Sequence, residues 1–470
     1  MLKSIFKFSI STWANSIINV LYVLITTRIF LPDILGALNV FSTTILTIMA
    51  LACLGMDNSL FRFYNEPPEE NTSKQLTFKL ISIAMVLVVI FGVLATVFFY
   101  NQFSEIVIQQ GSRLICALIF ASVTAQVLLR FLNISYRMSF NIRKFNVQSI
   151  LIQFVKLIVV FSVFISPIQI ETVLVLGTVG ICALMLFYVV IQRKDIVPEK
   201  IDFNFAGYRQ IFKYSLFSAP LLFLININTL LTQQIIRRAI NMAAVGIFSA
   251  ATYFVGILVM MQGGFATYWS AYMYANYKKE QKRIINTHDF VMMFLLGAFI
   301  LMVVFKDPIY VLIGSEYHDS KAFFALVLIY PILTFATETT AHGINIIKKN
   351  YLFLITYVIS ITINLVGSLI LVEQFGLMGV AVASCVSGVC QFILLTFFGQ
   401  KYYRSVENIR RTSFCVILIL AVAFSVTFLK SNLFFGISMM SITVLSGLLY
   451  RTKIKVLWQM MLNKTKRRIP

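Results

Sequence analysis

The sequence predicts an all-α, polytopic membrane protein of about 14 transmembrane helices, and three observations predict it. Of the 470 residues, 59% are apolar and 12% are charged, whereas soluble domains run near 45–50% apolar and about 25% charged; mean hydropathy is +0.87. Apolar residues run continuously over lengths near the ~20 that a helix needs to cross a bilayer, without the alternation of a membrane barrel. Lys and Arg gather in every second loop. A soluble enzyme is excluded, and so is a disordered chain, which would lack the 44 Phe and 20 Tyr.

Fourteen spans follow in order, at 6–30, 34–56, 79–100, 113–134, 148–168, 171–191, 213–236, 245–268, 289–313, 321–345, 351–372, 376–399, 412–430 and 432–449. With the N-terminus placed in the cytoplasm, the two tails and the even-numbered loops hold 30 of the 39 Lys and Arg. Basic residues in short loops resist translocation and so set orientation, which predicts both termini in the cytoplasm. Span 1 follows Lys3 and Lys7 but is too long for a signal peptide and lacks an A-x-A site, so it stays as an anchor. The longest loop on the opposite side, around Lys306–Lys321, leaves no room for a catalytic domain.

The chain repeats itself. Arg28 precedes Gly36 by eight residues, and Arg238 precedes Gly246 by eight, at an offset of 210. Asn141-Ile-Arg-Lys144 is echoed by Asn345-Ile-Ile-Lys-Lys349. Equivalent positions are six spans apart, and an even number gives parallel repeats about an axis along the membrane normal. The expected organisation is two pseudo-symmetric six-helix lobes, 1–191 and 213–399. A cytoplasmic linker, 192–212, joins them, and 400–470 adds a helix pair and a basic tail. The tail, from Lys453 to Arg468, suits anionic membrane lipid rather than nucleic acid.

Catalytic and cofactor motifs are absent. Cys53, Cys116, Cys182, Cys385, Cys390 and Cys415 lie in apolar runs without C-x-x-C or zinc spacing. There is no H-E-x-x-H, phosphate-binding glycine loop or G-x-S-x-G. No enzyme, metal site or cofactor is expected. Transport would run downhill, or on the membrane potential or an H+ or Na+ gradient.

Polar residues inside spans are costly unless they face protein or water. Asn15, Asn19, Tyr22 and Thr26 share one face of span 1; Asn226, Thr229, Gln233 and Arg237 share one face of span 7. The stripes match across the repeat and are expected to line a central hydrated cavity; interhelical packing is the alternative. Lys156 falls near the midplane, expected to face a cavity or a partner. Arg130 lies about one turn from the end of span 4, a cavity cation or a snorkelling one. Arg28, Arg237 and Arg238 sit at outer helix ends, as mouth cations or interfacial anchors. Glu338 and His342, at i and i+4 on span 10, are a coupling site, a counter-ion or a satisfied pair. Asp57 and Arg62 follow span 2 beside Glu66, as an inner-gate ion pair, a headgroup contact or a solvated loop. Trp269 with its neighbouring tyrosines reads as an interfacial anchor, with sugar stacking as the alternative. The set leans cationic, which suits a diphosphate or an acidic sugar.

Four stretches resemble a known family: the Arg28…Gly36 joint, Leu54-Gly-Met-Asp-Asn-Ser-Leu-Phe-Arg-Phe-Tyr64, Val245-Gly-Ile-Phe-Ser-Ala-Ala-Thr-Tyr253 and Phe375-Gly-Leu-Met-Gly-Val-Ala-Val-Ala-Ser384. They resemble the polysaccharide transporter branch of the multidrug/oligosaccharidyl-lipid/polysaccharide (MOP) flippase superfamily, with Wzx-type O-antigen flippases as its nearest-looking members, over nearly the whole chain. The resemblance implies a bacterial inner-membrane flippase for undecaprenyl-diphosphate-linked oligosaccharide, serving lipopolysaccharide or capsule biosynthesis. A polysaccharide polymerase and a chain-length regulator would be its partners. It marks Arg28 and the Asp57…Arg62 stretch as family-matched positions and gives spans 13–14 a lateral groove for the polyprenyl tail. A cation-coupled multidrug exporter and a lipid II flippase of the same superfamily stay open. So does a membrane polymerase or glycosyltransferase, although the first outer loop holds only Asp33.

Reporter fusions after residues 70, 140, 205, 280, 348, 405 and 470 are expected to report cytoplasm. A C-terminal reporter on the outer side would break the assigned helix parity.

Overall fold

The computed structural model describes residues 2–68, 71–164, 168–199, 205, 207–347, 349, 351–429 and 442, with side chains of the first helix from residue 14. The helices are α1 (Leu2–Ile29), α2 (Pro32–Cys53), α3 (Met56–Phe63), α4 (Ser73–Phe98), α5 (Tyr100–Ile108), α6 (Arg113–Met138) and α7 (Ile142–Val155), the last continuing as a 3-10 segment (Lys156–Phe164). Then come α8 (Ile170–Ile196), α9 (Arg209–Ala239), α10 (Met242–Asn276), α11 (Gln281–Val304) and α12 (Lys306–Val311), followed by a second 3-10 segment (Ser315–Ala322). The chain goes on through α13 (Phe324–Val327), α14 (Ile329–Thr340), α15 (His342–Ile346), α16 (Tyr351–Phe375), α17 (Leu377–Tyr402) and α18 (Ile409–Phe428). No strand occurs among the described residues.

Eleven of these helices are long and apolar enough to cross a membrane, or twelve if Ser315–Ala322 and Phe324–Thr340, bent by 69°, form one span; Ala14–Ile29 adds a shorter apolar helix. The fourteen spans expected from the sequence are therefore not all present among the described residues. Span 14, apart from Ile442, and the basic tail lie outside them. Span 10 is broken rather than continuous, because its helix is interrupted at Leu328 and again at Ala341.

Local sequence explains where helices begin. Pro32 opens α2, where a missing N–H costs nothing. Thr72 and Gln75 form a capping box on α4. Ser112, Asn141 and Asn408 cap α6, α7 and α18 through their side-chain oxygens.

The chain forms two compact units, Met1–Ala250 with Ile313–Tyr317, and Ala251–Leu312 with His318–Pro470. In the first, α6 packs on α4 and α8, α1 on α7, and α2 on α6 and α9. The end of this unit that carries the α1–α2 and α9–α10 joints is held by a backbone crossing. A Cβ on Gly36 would stand 2.3 Å from the Met242 carbonyl oxygen, and one on Gly246 would stand 2.1 Å from the Pro32 carbonyl oxygen. Both pairs are related by the same offset of 210 residues, so the crossing is a local two-fold built from the repeat. At the same end, Tyr317 donates its hydroxyl to the Phe30 carbonyl at 2.8 Å. The side chain of Arg237 reaches the Glu105 and Ile106 carbonyls at the last turn of α5.

In the second unit α17 packs on α14 and α16, and α18 on α11 and α13. Two buried polar contacts fasten α18. His288 sits between the hydroxyls of Thr339 (2.7 Å) and Thr412 (2.9 Å), and Asp289 pairs with Arg411 at 2.5 Å. Trp269, expected as an interfacial anchor, is buried with Met273 and Ile284, with Phe265, Tyr272 and Tyr403 packed around them. Helix α10 continues to Asn276 and carries the indole into this core; Tyr268 and Tyr274 stay exposed.

The crossing leaves no room for a side chain at either glycine. Gly36→Val and Gly246→Val should each lower the melting temperature of the detergent-purified protein, by roughly 1–3 kcal/mol in stability terms. Gly297→Ala, where a Cβ meets nothing within 4 Å, should leave it unchanged.

Candidate functional site

The site is built where α2 ends. Leu54 (φ 43°) and Gly55 (φ 74°) are both left-handed, so two consecutive residues reverse the chain out of α2 into α3. For leucine this conformation costs about 1–2 kcal/mol, and it holds because the turn is wedged against α9. A Cβ on Gly55 would lie 2.3 Å from the Ser215 carbonyl oxygen. Ser59 and Ser215 share a hydroxyl hydrogen bond at 2.7 Å, Ser59 donates to the Ile211 carbonyl at 3.2 Å, and Ser218 donates to the Gly55 carbonyl at 3.4 Å.

This turn carries Asp57 into the protein. Its side chain is 3% exposed and pairs with Arg130 of α6, which is 39% exposed. Arg130 Nε donates to Asp57 Oδ2 at 2.6 Å, and a terminal guanidinium nitrogen reaches the same oxygen at 2.5 Å. The other carboxylate oxygen, Oδ1, is buried and has no hydrogen-bond partner. A cavity of about 180 Å³ adjoins the pair, lined by Leu46, Met49, Ala50 and Cys53 of α2, by Gly55, Asp57 and Arg130, and by Ala219, Leu222 and Asn226 of α9. Its α9 wall begins beside Pro220, which lies inside that helix and interrupts its hydrogen-bond ladder.

The structure thus brings together three residues that the sequence offered separately: Asp57, Arg130 and Asn226. It does not pair Asp57 with Arg62. Arg62 lies almost a turn and a half further on and bonds Glu66 at 2.8 Å, both side chains exposed. Lys156 stands where α7 tightens into its 3-10 segment. Its side chain is exposed, and it makes no hydrogen bond or ion pair with any described residue. The helix begins at Ile142, earlier than expected, so Lys156 is about 21 Å along it at 1.5 Å per residue.

The two polar stripes are used unequally. Thr26 bonds back to the Tyr22 carbonyl at 2.6 Å, and Asn226 to that of Leu222 at 2.9 Å, both local. Asn19 is exposed and Asn15 half-buried; Gln233 is buried with its oxygen unpartnered. Arg237 is turned into the protein by the α5 carbonyls, while Arg28 and Arg238 are exposed at the joint end.

Glu338 and His342 do not form an i, i+4 pair. Helix α14 ends at Thr340, and each side chain goes to a different neighbour. Glu338 accepts from Gln262 Nε2 at 2.9 Å. The His342 ring sits edge-on to Tyr274 at 6.2 Å between centroids, and neither ring nitrogen has a hydrogen-bond partner. No cluster of three or more His, Cys, Asp or Glu that would hold a metal occurs among the described residues.

Sequence reasoning missed the buried Lys79 of α4. Its ammonium donates to Asn71 Oδ1 at 2.9 Å and lies over the rings of Phe205 and Tyr208, clasping the segment that leads into α9. The signal available was the aromatic content of the linker 192–212, which holds Phe203, Phe205, Tyr208 and Phe212.

The architecture defines a class: an all-α, multi-pass membrane fold, which the chain shares with solved transporters. Among solved structures, the chain is similar to lipid II flippase MurJ in its inward closed conformation, with a TM-score of 0.72 at 14% identity over 95% of this chain and 99% of that one. It is similar also to an inward-facing multidrug resistance MATE family transporter, with a TM-score of 0.60 at 15% identity, covering 85% and 97%. A MATE in the bent conformation gives 0.60 at 15%, covering 90% and 96%. No protein-family model matches the sequence, and no curated protein matches it. At these identities the likeness is one of fold.

Truncating Arg130 strands a buried carboxylate, whereas Arg62 leaves only an exposed partner. Arg130→Ala should destabilise the purified protein by about 1–3 kcal/mol, scaled down from a fully buried pair because Arg130 is partly open. Arg62→Ala should change stability by less than about 0.5 kcal/mol. Equal melting temperatures for the two variants would show that the Asp57–Arg130 pair carries no structural weight.

Proposed function

We propose that the chain is a flippase that moves undecaprenyl-diphosphate-linked oligosaccharide, an O-antigen or capsule repeat unit, from the inner to the outer leaflet of the bacterial inner membrane. The observation that carries this reading is a guanidinium, Arg130, left partly open beside a cavity within a bundle of apolar helices. Lys156 adds an exposed ammonium without a partner within another span. Cationic donors in such surroundings suit a phosphate-bearing headgroup and repel a cationic drug. The MOP transporter fold supports translocation rather than catalysis.

At about 180 Å³ the cavity is smaller than the roughly 300–1,000 Å³ that encloses a drug-sized ligand. Cargo therefore requires a wider state. The mechanism is alternating access between the lobes 1–191 and 213–399, joined by the linker 192–212. In this scheme the crossing at Gly36 and Gly246 closes the outer side, and the hydroxyl contacts of Ser59, Ser215 and Ser218 close the cytoplasmic side. Arg28 and Arg238 stand at the outer rim as cations for the departing diphosphate. Both termini are cytoplasmic in this orientation. A polymerase and a chain-length regulator would act on the product.

A second reading, with lipid II as cargo, is supported by the similarity to lipid II flippase MurJ over nearly the full length of both chains. Disruption of the gene separates the two. Loss of surface polysaccharide in viable cells, with the lipid-linked unit accumulating, fits the repeat-unit flippase. Arrest of peptidoglycan synthesis fits lipid II.

Lys156→Ala should cut export of surface polysaccharide tenfold or more at matched membrane levels, equivalent to about 1.4 kcal/mol, while Lys156→Arg retains part of it. Full export by the Ala variant would remove Lys156 from the transport path.

A further inference from the structure

The Asp57–Arg130 pair is built asymmetrically, and the asymmetry has a chemical consequence. Both Arg130 nitrogens that reach Asp57 converge on one oxygen, Oδ2. Asp57 is sealed from solvent, whereas Arg130 is more than one-third open. Both residues border the cavity, and Arg130 is the more open of the two and the one whose charge attracts an entering anion. Arginine carries five N–H donors and matches phosphate oxygens in pairs. A diphosphate, with more charge than one carboxylate, competes for Arg130 on favourable terms.

Were Arg130 drawn to phosphate, Asp57 would have no replacement cation among the described residues. On its own helix Arg62 is held by Glu66 at 2.8 Å. On α6, Arg137 lies over the rings of Phe61 and Phe145. On α4, Lys79 is fixed by Asn71 with Phe205 and Tyr208. From α2 the neighbour is the Cys53 thiol, and α9 offers the hydroxyls of Ser215 and Ser218; Lys213 of that helix is exposed and Tyr214 packs its ring on Phe63. An isolated buried carboxylate is costly by several kcal/mol and is relieved by neutralisation. Oδ1, buried and unpartnered, is the atom available to receive the proton.

We propose that substrate capture is a charge exchange: the diphosphate takes Arg130 from Asp57, and Asp57 takes one proton from water on the cytoplasmic side onto its carboxylate. The balance is simple. One O–H bond forms on Asp57, one proton leaves the medium, and nothing is oxidised or reduced. When the lipid departs, Arg130 returns to Oδ2 and the proton is released. Capture of each diphosphate is thereby linked to one proton. This proposal rests on the reading that the cargo carries a diphosphate, and the test separates the two.

The probe is farnesyl diphosphate, added to the full-length protein in detergent at about pH 8, where phosphate groups with a second pKa near 6 are ionised. Binding is followed by calorimetry in two buffers of different ionisation enthalpy, which yields the protons taken up per diphosphate bound. Wild type should take up close to one. Asp57→Asn, which leaves Arg130 unpaired and has no acid to protonate, should bind at least as tightly with no uptake. Binding by wild type without proton uptake overturns the exchange, as does uptake that persists in Asp57→Asn. Should that variant fail to fold, the wild-type buffer comparison decides alone. No binding by wild type removes the diphosphate reading itself, and this proposal with it.

Discussion

The approach of two backbones at Gly36 and Gly246 is the constraint on which the first unit depends. Each glycine sits one turn inside a helix, and each meets the carbonyl of the residue that opens the other helix. No side chain fits between them. Because the crossing fixes the starts of α2 and α10, it also fixes the joints through which α1 and α9 arrive. Arg237, in the last turn of α9, then falls against the end of α5, where it joins Gln234 in donating to the Ile106 carbonyl and also reaches that of Glu105. The same two helices, α2 and α9, remain packed toward their other ends, where the left-handed turn at Leu54 and Gly55 meets Ser215 and Ser218. The cavity lies along the stretch between these two contacts. Its dimensions follow from where the contacts are made.

Buried charge is handled by one device in both units. A carboxylate is buried, and its arginine comes from a helix distant in sequence: Asp57 with Arg130, and Asp289 with Arg411. Such pairs offer weak net stability but a strong penalty for separation. They differ in how open the arginine is. Arg411 is 17% exposed and Arg130 is 39% exposed. The first pair fastens α18 to α11; the second is accessible to a ligand from the cavity. Openness, rather than pairing, is what separates the two arginines.

Much of the fold was legible because the bilayer imposes it. Continuous apolar runs, capping residues such as Thr72 and Asn141, and Pro32 at a helix start each carry local information, and the helices follow them. The repeat was legible too, through Arg28…Gly36 and Arg238…Gly246. That these glycines touch was not, since an offset of 210 says that positions are equivalent and not that they are adjacent. The partner of Asp57 was hidden for the same reason. Arg62 is nearby in sequence, but the turn at Leu54 and Gly55 sends Asp57 inward while Arg62 faces Glu66. Leucine in a left-handed conformation leaves no sequence signal. Periodicity also failed at Ala341, because a helical pattern at Glu338 and His342 does not reveal that the helix stops between them. The Asn345 echo of Asn141 had the same weakness: Asn141 caps α7, whereas Asn345 lies inside α15.

Translocation of a lipid-linked, phosphate-bearing saccharide through the Arg130 cavity is tested most directly in proteoliposomes. Purified protein is reconstituted with a fluorescent undecaprenyl-diphosphate-linked oligosaccharide, and a membrane-impermeant quencher reports the leaflet of the label. Wild type should bring the label of the inner leaflet within reach of the quencher, and Arg130→Ala at equal reconstitution should leave it protected. Continued protection with correctly folded wild type, or equal translocation by the two proteins, would contradict the account.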